Sequence, residues 1–237
     1  MRFPETVACV IPAYNEEQHI ADVLDVVCRV PDLQWIVVVD DASRDNTGAI
    51  VLAYGERDPR IRLVYLPENR GKGGAMVVGA DLGSCDVIVF LDADLVGLRP
   101  EHVLALIRPV CAGACSMAVG LFVGGRVWTD WSHRLTPFLS GQRCLRWSLF
   151  RSTPDLSAAR YGAEVALSLD AFSGRHKVVT VPWKGVTHVM KVERAGWLQG
   201  CTSYLSMYRQ IIAYLWGHLG YRWTFRRIRV RRASEGM

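Results

Sequence analysis

The chain has 237 residues, half of them hydrophobic, and a formal net charge of +5. That length predicts one large domain, or one domain with an extension, and the apolar content is ample for a core. No apolar run reaches the ~18 residues that span a bilayer, and no secretory signal pattern precedes the first strand, which argues against membrane-spanning and secreted classes. Seven scattered cysteines predict reduced thiols and a cytoplasmic protein.

In chain order, short apolar runs alternate with amphipathic stretches. Buried strands are predicted at residues 7–11, 35–39, 62–66 and 87–91, with the first strand stopped by Pro12. Helices are predicted near residues 16–29 with Asn15 as N-cap, from Asn46 or Thr47 to about residue 54, after a chain break at residues 71–74, and from Pro100. This alternation predicts an α/β fold with a mostly parallel sheet and crossover helices.

The second half has a less regular pattern. Strands are predicted at residues 117–123 and 177–181, a buried helix at residues 163–169, and one or two helices within residues 196–220. Between Arg222 and Arg232 the chain carries six arginines and no acidic residue. Such a basic end is typical of a solvated surface, a nucleic-acid contact or an anionic membrane surface.

Polar side chains follow three of the predicted parallel strands. Asp92 and Asp94 end the fourth strand, Asp40 and Asp41 end the second, and residues 12–16 follow the first. Ligands of open α/β sheets bind outside the carboxyl ends of the strands, so these residues are expected at one edge. Paired carboxylates suit a divalent cation that also carries substrate phosphates. A polar turn with one capping aspartate is the alternative at residues 92–94.

Four segments, in order, resemble family 2 glycosyltransferases: residues 10–17 (VIPAYNEE), 39–47 (VDDASRDNT), 69–75 (NRGKGGA) and 91–94 (LDAD). The resemblance implies the GT-A fold, a Rossmann-like central sheet flanked by helices, and a nucleotide-sugar donor. In the second half, residues 139–143 (LSGQR), 161–164 (YGAE) and His188 resemble the glucosyl-3-phosphoglycerate synthase type of these enzymes. The first ~100 residues carry the resemblance best.

The same resemblance implies roles for individual residues. Donor binding is implied for Pro12, Ala13, Tyr14, Glu16, Asp40, Gly71, Lys72, Asp92 and Ala93. Binding of Mg²⁺ or Mn²⁺ is implied for Asp92, Asp94 and His188, and acceptor binding for Gly141, Gln142 and Arg143. Asp94 and Glu164 are the catalytic candidates; Glu164 acts as a base if the reaction inverts the anomeric centre and positions the donor sugar if it retains it. Asp41 is expected to hold Ser43 or the turn that follows.

The sequence thus predicts a metal-dependent glycosyltransferase that moves glucose or mannose from a nucleotide sugar, with UDP favoured over GDP. The expected acceptor is a small phosphorylated molecule or a polyprenyl phosphate or other lipid. Residues 1–195 form the expected catalytic domain, with halves at 1–115 and 116–195, and residues 196–237 a basic helical extension. That extension is rich in Trp, Tyr and Arg, which favours peripheral contact with the inner face of the membrane. A homodimer is a further expectation.

Two other function classes compete with this interpretation. A nucleic-acid-binding protein would use the arginine-rich end, but the acidic strand ends would repel phosphate unless metal is bound, so no nucleic acid is expected. A sugar-phosphate nucleotidyltransferase also has an α/β sheet and metal-binding acids. It would carry a basic glycine-rich loop after the first strand, where residues 12–15 read PAYN here.

Overall fold

The computed structural model describes residues 5–82, 85–123, 140–153, 156 and 163–188. The strands are β1 Val7–Ala13, β2 Trp35–Asp40, β3 Ile61–Tyr65, β4 Val87–Phe90, β5 Leu95–Val96, β6 Met117–Val123, β7 Arg143–Arg146, β8 Val178–Lys184 and β9 Thr187–His188. The helices are α1 Ile20–Val27, α2 Thr47–Gly55, α3 Gly71–Asp81, α4 Pro100–Cys111, α5 Trp147–Ser152 and α6 Ala163–Ser173. The predicted starts of α2 and α4 are confirmed.

Seven strands form one sheet in the order β3-β2-β1-β4-β7-β6-β8. Strands β1 to β4 pair in parallel, as the alternating pattern predicted, and β6 pairs in parallel with β8. Strand β7 runs antiparallel between β4 and β6 and so joins the two halves of the chain. Strands β5 and β9 form a separate two-stranded sheet. The predicted mostly parallel central sheet flanked by helices is therefore confirmed.

The sheet is buried on both faces, which explains why its strands are continuous apolar runs rather than alternating ones. Successive side chains of β1 point to opposite faces. Cys9 and Ile11 pack with the cluster that includes α1 and α4, whereas Ala8 and Val10 pack with the cluster that includes α3 and α6. Helices thus pack on both faces of the sheet, and the carboxyl ends of the strands are not covered by them.

The prediction that β1 stops at Pro12 is wrong, because the strand continues to Ala13. Pro12 lies in register with Val39 of β2, while the pairing of β1 with β4 ends at Val10 and Phe90. In a parallel ladder, residues bond alternately to one neighbour and the other, and Val10 accepts a bond from the β4 side at Leu91. Pro12 therefore faces the β4 side of the strand, where β4 has already ended. The missing N–H of Pro12 costs the sheet no hydrogen bond.

Two predicted helix starts are also wrong. Helix α1 begins at Ile20, and Asn15 is not its N-cap: Asn15 has a left-handed φ of 55° and accepts a hydrogen bond from the Arg44 N–H at 2.8 Å. Helix α3 begins at Gly71, so residues 71–74 form its first turn rather than a break. The carboxylate of Asp41 accepts hydrogen bonds from the backbone N–H groups at the start of α3 and so stabilises this end of the helix.

Strand β7 was not predicted, since arginine at both of its ends resembles a surface segment. Strand β8 extends three residues beyond its predicted end, to Lys184. The helices predicted within residues 196–220 lie outside the described residues. Over the described ranges, no helix is both long and apolar enough to cross a membrane.

Candidate active site

The ends of the central parallel strands meet at one edge of the sheet. Ala13 at the end of β1 lies in register with Asp40 at the end of β2. On the other side of β1, the N–H of Leu91, just past β4, donates to the carbonyl of Val10. Asp92 and Asp94 follow within three residues of that contact. The structure therefore brings the three predicted polar segments to one edge.

Asp40 is the last residue of β2, and Asp41 follows it. Both are buried, and they accept hydrogen bonds from different groups. Asp40 accepts a hydrogen bond from the backbone N–H of Ser43 at 2.8 Å. Asp41 accepts from the N–H of Arg70 at 2.7 Å and of Gly71 at 2.9 Å, and so satisfies donors at the start of α3. The expectation that Asp41 holds Ser43 is wrong. It instead ties the strand end to the helix that carries Lys72.

Lys72 lies in the first turn of α3 and joins two acidic residues that are far apart in sequence. Its Nζ is 2.5 Å from Oδ1 of Asp92 and 2.6 Å from Oε1 of Glu164. Glu164 is buried in the first turn of α6, and about a quarter of the Lys72 side chain is exposed. One ammonium group thus contacts two carboxylates, one after β4 and one at the start of α6, so these three groups together carry a net charge of −1.

Opposing effects act on the pKa of Lys72. Burial by itself would lower this pKa, but the Asp92 and Glu164 carboxylates outweigh burial and hold it above the ordinary lysine value. The ammonium group is therefore charged at every physiological pH. A fixed positive charge at this edge suits an anionic ligand such as a phosphate group.

Arg143 does not present its charge to solvent, and its predicted role in acceptor binding stays a prediction. The side chain is fully buried, and its Nη1 donates to the carbonyl of Glu164 at 2.8 Å. Nε donates to the carbonyl of Ser140 at 3.1 Å. Burial lowers the pKa of Arg143 to about 10, against the opposing field of the Glu164 and Asp92 carboxylates. Arg143 therefore joins the start of α6 to the segment before β7.

Gly141 and Gln142 also lie against the Lys72–Asp92 ion pair. Gln142 is fully buried, and its Nε2 donates to Oδ2 of Asp92 at 2.7 Å. A Cβ atom on Gly141 would lie 2.5 Å from Oδ1 of Asp92 and 2.6 Å from Nζ of Lys72. No side chain fits at position 141 without moving the ion pair.

Asp94 and His188 are brought near each other by backbone pairing. Strand β5 follows Asp94 directly, and its first residue, Leu95, lies opposite His188 of β9. The His188 side chain is outside the described part of the structure. Among the side chains that are described, no three His, Cys, Asp or Glu groups are close enough to hold a metal ion. The register nevertheless places the backbone of a histidine beside the residue that follows the acidic motif.

The remaining predicted residues line the same edge. Pro12 and Ala13 end β1, and Tyr14 beyond them is 44% exposed. The backbone N–H of Glu16 donates to Thr47 Oγ1 at 2.8 Å, which fixes the turn after β1 against the start of α2. Ala93, between the two motif aspartates, is buried. Sequence reasoning missed the Lys72–Glu164 ion pair and the part played by Asp41, because no local pattern connects such distant positions.

These features define a class of protein: an α/β protein with a single antiparallel strand in an otherwise parallel described sheet, and with acidic and cationic groups gathered at the carboxyl edge. A model of glycosyl transferase family 2 matches residues 8–173. The chain belongs to that family.

Known proteins similar to the chain include a dolichyl-phosphate beta-glucosyltransferase of Trichomonas vaginalis, 39% identical over 94 residues, which are 36% of this chain and 28% of that protein. Glucosyl-3-phosphoglycerate synthase of Mycobacterium tuberculosis is 30% identical over 201 residues, 70% of this chain and 61% of that protein. The chain therefore spans less than two thirds of the length of either relative.

A solved structure extends the similarity to the fold. The crystal structure of the Mycobacterium tuberculosis synthase in complex with Mn²⁺, UDP-glucose and phosphoglyceric acid has a TM-score of 0.75 and 28% identity. The match covers 92% of this chain and 80% of that one. The GT-A fold expected from the sequence is thereby confirmed.

Proposed function

We propose that this protein is a metal-dependent hexosyltransferase that moves glucose or mannose from a nucleotide sugar to a phosphorylated acceptor. The observation that carries the proposal is the Lys72 ammonium group, which lies between Asp92 and Glu164 at the carboxyl edge of the sheet. A diphosphate needs a fixed cation, and a sugar hydroxyl needs carboxylate acceptors. Membership of glycosyl transferase family 2 supports this assignment over a nucleotidyltransferase or a nucleic-acid-binding protein.

The donor-binding residues divide into two groups in this proposal. Those after β1 and β2 hold the nucleoside: Pro12, Ala13, Tyr14, Glu16 and Asp40. Those on α3 and after β4 hold the diphosphate and sugar: Gly71, Lys72, Asp92 and Ala93. Tyr14 is exposed enough for its ring to stack on a base. The Asp40 carboxylate accepts from Ser43 and has the capacity to accept from a base N–H as well. The UDP-glucose bound to the Mycobacterium tuberculosis synthase favours UDP over GDP.

Asp94, Asp92 and His188 would hold Mg²⁺ or Mn²⁺. Carboxylate oxygens with one imidazole are a fitting ligand set for Mn²⁺, and the pairing of Leu95 with His188 supports their proximity. The oxygens of Asp92 contact Lys72 and Gln142. By its place in the acidic motif, Asp94 is the principal candidate ligand. When bound, the cation would neutralise the charge that grows on the departing nucleoside diphosphate.

For Glu164 the ion pair with Lys72 favours a positioning role. A carboxylate oxygen held 2.6 Å from an ammonium group is poorly placed to take a proton from an acceptor hydroxyl. It is well placed to fix the Lys72 charge against a donor phosphate and to accept from a sugar hydroxyl. This assignment favours a retaining reaction over an inverting one.

Two acceptor classes stay open, and relatives of each kind are known. The synthase of Mycobacterium tuberculosis crystallised with phosphoglyceric acid, and the Trichomonas vaginalis relative is a dolichyl-phosphate glucosyltransferase.

We propose residues 1–195 as the catalytic domain, whose halves 1–115 and 116–195 share one sheet across β4 and β7. We also propose homodimer formation and peripheral membrane contact through residues 196–237. Flotation with anionic liposomes tests that contact; the full chain should co-migrate with them, and failure to do so would remove the membrane proposal.

The proposal predicts metal-dependent binding of a nucleotide sugar. Isothermal titration of the full chain with UDP-glucose should give a Kd at least about 10-fold lower with Mn²⁺ than with EDTA, because a cation held by Asp92 and Asp94 would offset the negative charge of the donor phosphates. GDP-mannose and ADP-glucose serve as matched controls for the base. If none of these nucleotide sugars binds in the presence of Mn²⁺, the proposed function is wrong.

A further inference from the structure

The Asp92 carboxylate is held on both of its oxygens. Oδ1 contacts the Lys72 ammonium group at 2.5 Å, and Oδ2 accepts from the Gln142 amide at 2.7 Å. Contacts to both oxygens fix the plane of the carboxylate as well as its position. In this orientation Lys72 contacts Asp92 and Glu164 together.

Gln142 is itself fixed by its neighbours. Its Oε1 is 3.1 Å from Ser140 Oγ, which donates to the carbonyl of Gly120 at 2.6 Å. Its backbone carbonyl accepts from the Gly120 N–H at 2.8 Å, and a Cβ on Gly120 would lie 3.1 Å from the buried Trp183 ring and 3.2 Å from the Gln142 Cβ. The side-chain amide of Gln142 has one favourable orientation. Rotating it by half a turn would point Oε1, a hydrogen-bond acceptor, at the Asp92 carboxylate, which also only accepts.

The side chain of Gln142 faces the ion pair rather than solvent. Its side chain is fully buried, and the adjacent Gly141 backbone covers the ion pair so closely that even a Cβ would collide with it. The sequence pattern assigned Gly141 and Gln142 to acceptor binding. The contacts point instead to Asp92.

Building on the proposed function, we propose that Gln142 is a positioning residue for the donor site. Its amide sets the orientation of Asp92, and Asp92 in turn holds Lys72 against Glu164 in the arrangement that receives the donor diphosphate. Residues 140–142 thus form the inner wall of the donor site and not part of the acceptor site.

A charge change at constant shape tests this role. In Gln142→Glu, an ionised carboxyl group at position 142 would face the Asp92 carboxylate and repel it, whereas the protonated form would donate an O–H where the amide donated an N–H. We expect UDP-glucose affinity in the presence of Mn²⁺ to be about 10-fold weaker than wild type at about pH 8, as for loss of an outer partner of a ligand-binding group.

A second variant separates positioning from repulsion. Gln142→Met keeps the length of the side chain, removes the donor and adds no charge. It should also bind UDP-glucose about 10-fold more weakly at about pH 8. A residue with only a structural role would lower the melting temperature of both variants without a change in the donor affinity of the folded protein. Wild-type affinity in either folded variant at about pH 8 would overturn the inference.

A third measurement needs no donor and separates this inference from the proposed function. Competitive acetylation with acetic anhydride, read by mass spectrometry, reports how firmly the Lys72 amine is held as an ammonium ion. Lys72 should be acetylated several-fold faster in Gln142→Met than in wild type, while the exposed Lys177 reacts at the same rate in both. If wild type binds no nucleotide sugar, the proposed function fails, and unchanged Lys72 labelling would then also refute the positioning role.

Discussion

Replacing Lys72 with methionine is expected to lower the turnover of a nucleotide-sugar donor by at least about 100-fold, the usual loss when one preorganised electrostatic contact is removed. Methionine keeps the length of the side chain but leaves Asp92 and Glu164 without the ammonium group that contacts both at 2.5–2.6 Å. The two carboxylates would then oppose an incoming diphosphate. Steady-state kinetics and far-UV circular dichroism on the same preparation measure turnover and folding.

Lys177→Met is the matched control, because Lys177 is an exposed lysine immediately before β8. That variant should keep turnover within about two-fold of wild type, which corresponds to less than about 0.5 kcal/mol. Turnover of a folded Lys72→Met variant within the same two-fold range would remove Lys72 from the donor site.

The raised pKa of Lys72 also fixes how the ion pairs depend on pH. A lysine whose pKa is higher in the folded than in the unfolded protein stabilises the fold fully below the unfolded value of about 10.4 and loses this contribution as pH rises through the folded value. The difference in unfolding free energy between wild type and Lys72→Met should therefore be the same at about pH 7 and about pH 9 and shrink above about pH 10.5. Urea denaturation at these pH values measures it.

The parallel part of the fold could be predicted because its signals are local. Strands β1, β2 and β4 are nearly continuous apolar runs, and a strand buried on both faces needs no partner elsewhere in the sequence to be recognised. The same is true of the acidic motif at Asp92 and Asp94, which ends such a run. Their convergence with Asp40 at one edge follows from the parallel arrangement alone.

Features that depend on distant partners could not be predicted. Arg143 was interpreted as an acceptor-binding residue, and its burial could not be predicted. The carbonyls of Ser140 and Glu164 make that burial tolerable, and they meet only in the folded chain. The glycines at the start of α3 were interpreted as a break because glycine disfavours helix. The Asp41 carboxylate, about 30 residues away, binds the first N–H groups of that helix and outweighs the local preference.

Replacement of Gly97 is the second substitution with a large expected effect, because a side chain at this position would prevent β9 from pairing with β5. Gly97 has a φ of 75°, and a Cβ at this position would collide with the backbone carbonyl oxygen of Gly185, which precedes β9. Gly97→Ala is therefore expected to push β9 away from Leu95 and with it the backbone of His188. Mn²⁺ affinity, measured by isothermal titration, should fall by about 10- to 100-fold, as when a supporting contact of a metal ligand is lost.

The control is a glycine with the same backbone strain but no collision. Gly113 has a φ of 68°, and a Cβ added there would meet no atom within 4 Å, so Gly113→Ala carries only the cost of a left-handed alanine, about 1 kcal/mol of unfolding free energy. It should bind Mn²⁺ as wild type does. Asp94→Ala removes a proposed metal ligand directly and should abolish metal-dependent donor binding. Equal Mn²⁺ affinity in Gly97→Ala and Gly113→Ala would mean that the pairing of β5 with β9 does not position a metal ligand, and His188 would lose its place in the site.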